Sequence, residues 1–310
     1  MSATGGPEPS AERELSVLIA RLIAETSRLA ANLDTARARL AEHGMAVAMA
    51  ETVTSGEDAI ELQLPHGDPA VLRAVLDECF APVDLLVSDR PIAVPHLFVS
   101  DMDSTMISAE CIDELADFAG IKDQIAAITE RAMQGELDFA QALTERVGLL
   151  KGLEASAIDR CLAERIAPMS GAQVLVATLK AKGCFTVLVT GGFHQFADPV
   201  AEQLGFERVV ANRLAVHEGR LTGGLVGGIT DSGVKRTVLL EEMARLGSEA
   251  ISLATGDGAN DIPMIEAATY GVAYHAKPKA KAAGDGWVAR GDLTSVLTLL
   301  GIPREEWVWE

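Results

Sequence analysis

The chain has 310 residues, 48% of them hydrophobic and 23% charged, with a formal net charge of −19 at neutral pH. That length predicts two folded units, and the acidity argues against nucleic acid or an anionic membrane surface as a partner. No run approaches the roughly 18 uninterrupted apolar residues of a membrane helix, and the start, MSATGGPEPSAERE, lacks a basic stretch followed by an apolar run and does not read as a signal peptide. The four cysteines are scattered without a C-x-x-C, so zinc and a disulfide framework are poorly supported and a reducing cytoplasm is the expected compartment.

Residues 1–12 read as a disordered tail, followed by a small α/β unit over 13–90. An apolar run at 15–20 reads as a strand or as a run merging into the following helix. The segment 27–40 has helical spacing, with Leu29, Leu33, Ala36 and Leu40 on one face. Strands are predicted at 45–53 and 59–64 around a Ser-Gly-Glu-Asp turn. Asp68 can cap a helix carrying Val71, Leu72 and Val75, and 83–87 reads as a closing strand. The order βαββαβ is that of a ferredoxin-like sandwich.

Pro91 and Pro95 bracket a linker into a second unit, 91–310, where apolar strands alternate with helices. Strands are predicted at 97–100, 185–189, 208–211, 251–254 and 271–274, and helices at 171–182, 194–204, 235–245 and 261–268. A helix-rich block spans about 108–162, and the glycine-rich stretch 214–228 suits a hairpin. Strands alternating with helices predict a parallel sheet covered on both faces.

In such sheets ligands bind at the carboxyl ends of the strands, and three predicted strands end in polar residues. The first runs into Asp101-Met-Asp103-Ser-Thr105. Two neighbouring carboxylates repel, so a cation is needed if both are ionised. Asp101 could attack phosphorus to give an aspartyl-phosphate, with Asp103 as general acid and base; the plain alternative is that both merely cap the next helix. The second strand ends in Thr190-Gly191-Gly192, a hydroxyl and backbone N–H groups suited to a phosphate, although such turns are commonly structural. The third ends in Gly256-Asp257-Gly258-Ala259-Asn260-Asp261, whose hard oxygen ligands suit magnesium and which lacks the further acids of an EF-hand loop. Lys235, at the start of a predicted helix, could reach the phosphate and balance Asp101, or could be a solvated surface lysine.

In the order D-x-D-x-T, T-G-G, K, G-D-G-x-x-D, these elements resemble the haloacid dehalogenase-like phosphatase superfamily over roughly 95–300. The stretches from Asp101 to Glu114, Ala132 to Phe139 and Leu143 to Gly152 look like the phosphoserine phosphatase family within it. That resemblance implies a Rossmann-like core with a helical cap at about 108–166. It implies a small-molecule substrate, O-phosphoserine, hydrolysed to serine and phosphate as the last step of serine biosynthesis. Glu110 would take the substrate's amino group and Arg146 its carboxylate, with Met133 and Phe139 as apolar cap residues nearby. Both charges would otherwise be ordinary helix-surface residues.

By the same analogy Mg²⁺ is held by Asp101, Asp257 and the main-chain carbonyl of Asp103. Asp261 supports that site, Asn260 lies near the phosphate, and Thr190, Gly191 and Lys235 bind it. Thr190 stands where the family commonly has serine; the hydroxyl is kept and a methyl added. The N-terminal unit resembles, more loosely, ACT-like domains, which bind amino acids or pair subunits, so a homodimer is among the expectations. The readings left beside this one are a phosphatase or phosphotransferase for another small phosphate, such as phosphohomoserine or phosphothreonine, and a non-catalytic amino-acid sensor.

Overall fold

The computed structural model describes residues 17–53 and 58–309. The 1–12 tail, the start of the 15–20 run and most of the Ser-Gly-Glu-Asp turn lie outside them. The first unit comprises β1 (Leu18–Ile23), α1 (Leu29–Glu42), β2 (Met49–Thr52), β3 (Ala59–Leu64), α2 (Pro69–Phe80) and β4 (Asp84–Ser88). Its strands lie in the order β2-β3-β1-β4, all antiparallel, which is the ferredoxin-like arrangement. Asp68 caps α2 as expected, its carboxylate accepting from Ala70 N at 2.7 Å.

The strand predicted at 45–53 begins only at Met49, because Met45 belongs to the end of α1. Gly44 is left-handed (φ 71°), its N–H meets Ala41 O, and Met45 N–H meets Leu40 O at 2.9 Å. This is a Schellman closure in which Met45 folds its apolar side chain back into the core. Hydrophobicity alone reads that residue as strand.

The second unit opens with β5 (Leu97–Ser100). Helices α3 (Cys111–Phe118), α4 (Lys122–Met133), α5 (Phe139–Leu149) and α6 (Ser156–Arg165) follow, then α7 (Ala172–Ala181), β6 (Phe185–Phe193), α8 (His194–Leu204) and β7 (Arg208–Asn212). A hairpin, β8 (Leu214–His217) and β9 (Arg220–Leu225), leads to α9 (Ser232–Leu246), β10 (Ser252–Gly256), α10 (Ile262–Ala267) and β11 (Tyr270–Tyr274). The chain ends with α11 (Pro278–Ala283), β12 (Gly286–Val288) and α12 (Thr294–Leu299). Strands β12-β11-β10-β5-β6-β7 are parallel. Alternate side chains of β5 enter opposite cores, Phe98 on one face and Leu97 with Val99 on the other. That two-sided burial explains the uninterrupted apolar run. Among the described residues no helix is long and apolar enough to cross a membrane.

The two units share one ten-stranded sheet, because β4 pairs antiparallel with β12. Trp287 of β12 is buried in the core of the first unit and donates from Nε1 to Val83 O at 2.9 Å. The buried Asp84 accepts from the backbone N–H groups of Ala289, Arg290 and Gly291. Helices α3 and α5 reach the strand ends through Cys111 and Phe139, and a backbone bridge between Ile107 and Pro168 joins the two ends of the α3–α6 segment.

Candidate active site

Strand β5 sits between β10 and β6, so the three polar strand ends are neighbours. Asp101 leaves β5 with its N–H on Thr255 O at 3.0 Å, next to the turn that carries Asp257. Helix α9 starts at its N-cap Asp231, whose carboxylate accepts from Val234 N at 3.0 Å. This cap places Lys235 in the first turn, and its side chain is 1% exposed. Lys235 Nζ lies 2.6 Å from Asp101 Oδ1 and 2.7 Å from Asp261 Oδ1. The surface reading of this lysine is thereby set aside.

Asp261 spends its other oxygen on the loop: Oδ2 accepts from Asp257 N at 3.1 Å and Gly258 N at 3.0 Å. Gly256 is required here, since a Cβ on it would overlap the Asp261 side chain. The carboxylates of Asp101, Asp257 and Asp261 lie within 4.8 Å of one another. This all-oxygen donor set fits a hard divalent cation. Asp261, with both oxygens engaged, is the least available of the three.

Charge in this cluster does not balance. Burial first, then the Asp261 charge, pushes the Asp101 carboxyl well up, and Lys235 only partly opposes them. Burial lowers the Lys235 ammonium, but the two carboxylates outweigh it and the net direction is up. One ammonium serves two buried carboxylates, which leaves a surplus negative charge. Asp257 is pushed up to about 6 by burial and by Asp261. Asp103 is pushed up to about 7 by burial and by the Glu110 charge.

Asp103 is oriented by the backbone N–H of Cys111, 3.1 Å from Oδ1. Its other oxygen faces the second strand end: a Cβ on Gly192 would lie 2.9 Å from Asp103 Oδ2 and 3.2 Å from Thr190 Oγ1. A side chain at position 192 would have to displace the Asp103 carboxylate. Thr190 is buried and its hydroxyl oxygen accepts from Gly192 N at 2.9 Å. Asn260 folds its side chain back over Gly258 in the same loop.

The helices above contribute from α3 and α5. Asp138 and Gln141 form a capping box that starts α5, and this sets Phe139 in the first turn, where its ring would touch a Cβ placed on Gly191 at 3.0 Å. Arg146 follows seven residues later on the same face. It is half-buried, and its Nε donates to Ala142 O at 3.3 Å. Burial lowers it, against the charges of Asp113 and Glu110. Glu110 is exposed and accepts from Ser104 Oγ at 2.7 Å. Met133 is the last residue of α4.

Ser104 and Cys111 were not singled out in the sequence. Ser104 adopts a left-handed backbone (φ 54°), which is uncommon outside glycine and asparagine. Neither residue type carries a pattern that would reveal its contact.

The family model for haloacid dehalogenase-like hydrolases matches residues 98–266, the span from β5 to α10. The chain belongs to this family. A phosphoserine phosphatase of Archaeoglobus fulgidus is 44% identical to this haloacid dehalogenase-like hydrolase over 214 residues, 68% of this chain and 61% of the relative. One from a Polaromonas strain is 41% identical over 224 residues, 70% of this chain and 95% of its own length. The structure of a probable phosphoserine phosphatase from Vibrio cholerae superposes with a TM-score of 0.71 at 31% identity, covering 94% of this chain and 88% of the other. The chain spans 61%, 52% and 61% of the lengths of three such curated relatives.

Proposed function

We propose that this hydrolase cleaves O-phosphoserine to serine and inorganic phosphate through an aspartyl-phosphate on Asp101. The observation that carries the reading is Asp101 itself: a buried carboxylate at a strand end, with Oδ1 held by Lys235 and Asp257 alongside. Asp101 attacks phosphorus, the bond from phosphorus to the serine oxygen breaks, and Asp103 gives that oxygen its proton. Asp103 then takes a proton from water as the water attacks the aspartyl-phosphate, which releases phosphate and restores Asp101. A carboxyl held near 7 suits both transfers. Thr190, Gly191 and Lys235 cradle the phosphate, and Asn260 lies beside it.

Magnesium fits the donor set, with Asp101, Asp257 and the main-chain carbonyl of Asp103 as the residues that would hold it and Asp261 as support. When bound it supplies the positive charge that the cluster lacks. Chelation is expected to abolish turnover, magnesium to restore it and calcium to restore little, since calcium prefers more ligands and looser geometry. Protons compete for the same carboxylates. Because Asp257 is raised to about 6, the magnesium needed for half activation rises as pH falls from 8 to 6. Titration of activity with magnesium at several pH values checks this; full activity in excess chelator sinks it.

The serine end is assigned to Glu110 and Arg146, with Met133 and Phe139 as apolar neighbours. Arg146 offers a two-pronged fit to a carboxylate, and no ion pair of its own competes among the described residues. Arg146→Ala is expected to lower kcat/KM for phosphoserine about thirtyfold or more, the loss of a charge-assisted pair in a closed site. Hydrolysis of a plain aryl phosphate should suffer much less. An equal fall on both substrates would place Arg146 in the scaffold instead.

A further inference from the structure

Strands β6 and β7 pair in regular register through Val187, Leu188 and Val189 against Arg208, Val209 and Val210, and pair again at Phe193 with Asn212. Between those points β6 advances four residues and β7 two. Three residues of β6, Thr190, Gly191 and Gly192, therefore face the single Ala211 of β7 and leave the ladder as a bulge. Something must hold the bulge in one shape, and the side chain that hydrogen-bonds its backbone from the neighbouring strand is Asn212.

Asn212 is the last residue of β7 and is 1% exposed. Its Nδ2 donates to Gly191 O at 2.8 Å, and its Oδ1 accepts from Thr230 N at 2.8 Å. The chemistry of the partners dictates this orientation, since a flipped amide would set donor against donor and acceptor against acceptor. Thr230 immediately precedes Asp231, the N-cap of the helix that carries Lys235. One buried amide therefore ties the Thr190–Gly191 bulge to the start of the lysine helix.

The tie also has a direction. In a trans peptide the C=O and the next N–H point opposite ways. With Gly191 O drawn to Asn212, Gly192 N–H is turned to Thr190 Oγ1, at 2.9 Å. That oxygen then accepts from the protein, and its own hydrogen is free to donate toward an anion in the crevice.

We propose that Asn212 is a positioning residue for phosphoryl transfer. It sets the spacing between the Thr190 hydroxyl and Lys235, and it fixes which way that hydroxyl donates. The proposal rests on the reading of Thr190 and Lys235 as phosphate ligands. Displacement of a reacting group by about 1 Å costs on the order of a hundredfold in rate, which sets the scale of the effect.

The test compares Asn212→Asp, Asn212→Ala and Thr190→Val. Asn212→Asp keeps the shape and the Thr230 contact but turns the Gly191 contact into repulsion. Asn212→Ala is the second variant, in case a buried charge prevents folding. Circular dichroism and thermal midpoints establish folding, and kcat and KM are then measured for phosphoserine and an aryl phosphate, with inhibition by inorganic phosphate. The folded Asn212 variant is expected to lose about 10- to 100-fold in kcat/KM, by the same factor on both substrates, with a matching rise in the phosphate inhibition constant. A folded variant within twofold of wild type overturns the proposal, as does a loss confined to phosphoserine. If Thr190→Val weakens phosphate inhibition while the Asn212 variants do not, only the positioning role fails. If Thr190→Val leaves phosphate inhibition unchanged, the phosphate-site reading fails, and the positioning proposal with it.

Discussion

An Asp101→Asn protein is expected to lose turnover by on the order of 10⁴-fold or more while holding its fold at least as firmly as the parent. The amide keeps the shape of the carboxylate but cannot form the aspartyl-phosphate, and removal of a nucleophile costs this much where it has been measured. The stability half of the expectation follows from the charge count. Burial and Asp261 push the Asp101 carboxyl up, so its ionised form is a burden on the folded state. A carboxyl raised on folding takes up protons, and stability falls as pH climbs through the range between its ordinary and raised values. A neutral amide carries no such burden. Urea midpoints at pH 7.5 in chelator should be equal or higher for the variant, and mass spectrometry must exclude deamidation back to aspartate. Near-parental activity would end the nucleophile assignment, and a lower midpoint would end the charge argument.

Lys235→Met is expected to lose both activity and stability. It strips the shared ammonium from Asp101 and Asp261, which lie 2.6 and 2.7 Å from it. Breaking a buried ion pair by removing one partner costs about 3–5 kcal/mol, because a buried charge is left uncompensated. Asp261 keeps its two backbone donors, so the loop at Asp257 stays in place and most of the loss falls on Asp101. The double variant Asp101→Asn with Lys235→Met should then recover part of the lost stability and none of the activity. Such non-additivity is the signature of groups in one network. Urea titration of the four proteins measures it; midpoints that simply add would mean that Lys235 and Asp101 do not share a charge balance.

The parts of the site that were legible in the sequence are those where the chemistry follows directly on a strand. Leu97–Ser100 is buried throughout and Asp101 is its next residue, so an apolar run and its polar end carried the whole signal. Helix α8 was bounded correctly because Gly205 ends it in a left-handed turn (φ 88°). What escaped is what depends on distant partners. Asn212 ends its strand one residue beyond the apolar run, and its two contacts lie 21 and 18 residues away in the chain. Nothing in its immediate neighbours marks it. Strand β12, three residues long, is too short to show any period, so the joining of the two units could not be read. Arg146 and Glu110 stood out only through a resemblance, since a helix pattern shows a face but not what lies opposite it.

The β4–β12 pairing changes how the molecule meets its surroundings. A sheet that stopped at β12 would present a raw row of N–H and C=O groups flanked by an indole ring, a surface that recruits other chains. The first unit would present a second such row at β4. Joined, each blots out the other's sticky rim, and among the described residues the shared sheet is left with two outer rims, β2 and β7. Of these, β2 is short and half-exposed, ending in Glu51 and Thr52, which makes it a poor template. The β4–β12 pairing thus shields two sheet edges from other chains at once. Heat or denaturant acting on either half must also part the shared seam, where Asp84 holds three backbone N–H groups from the other side.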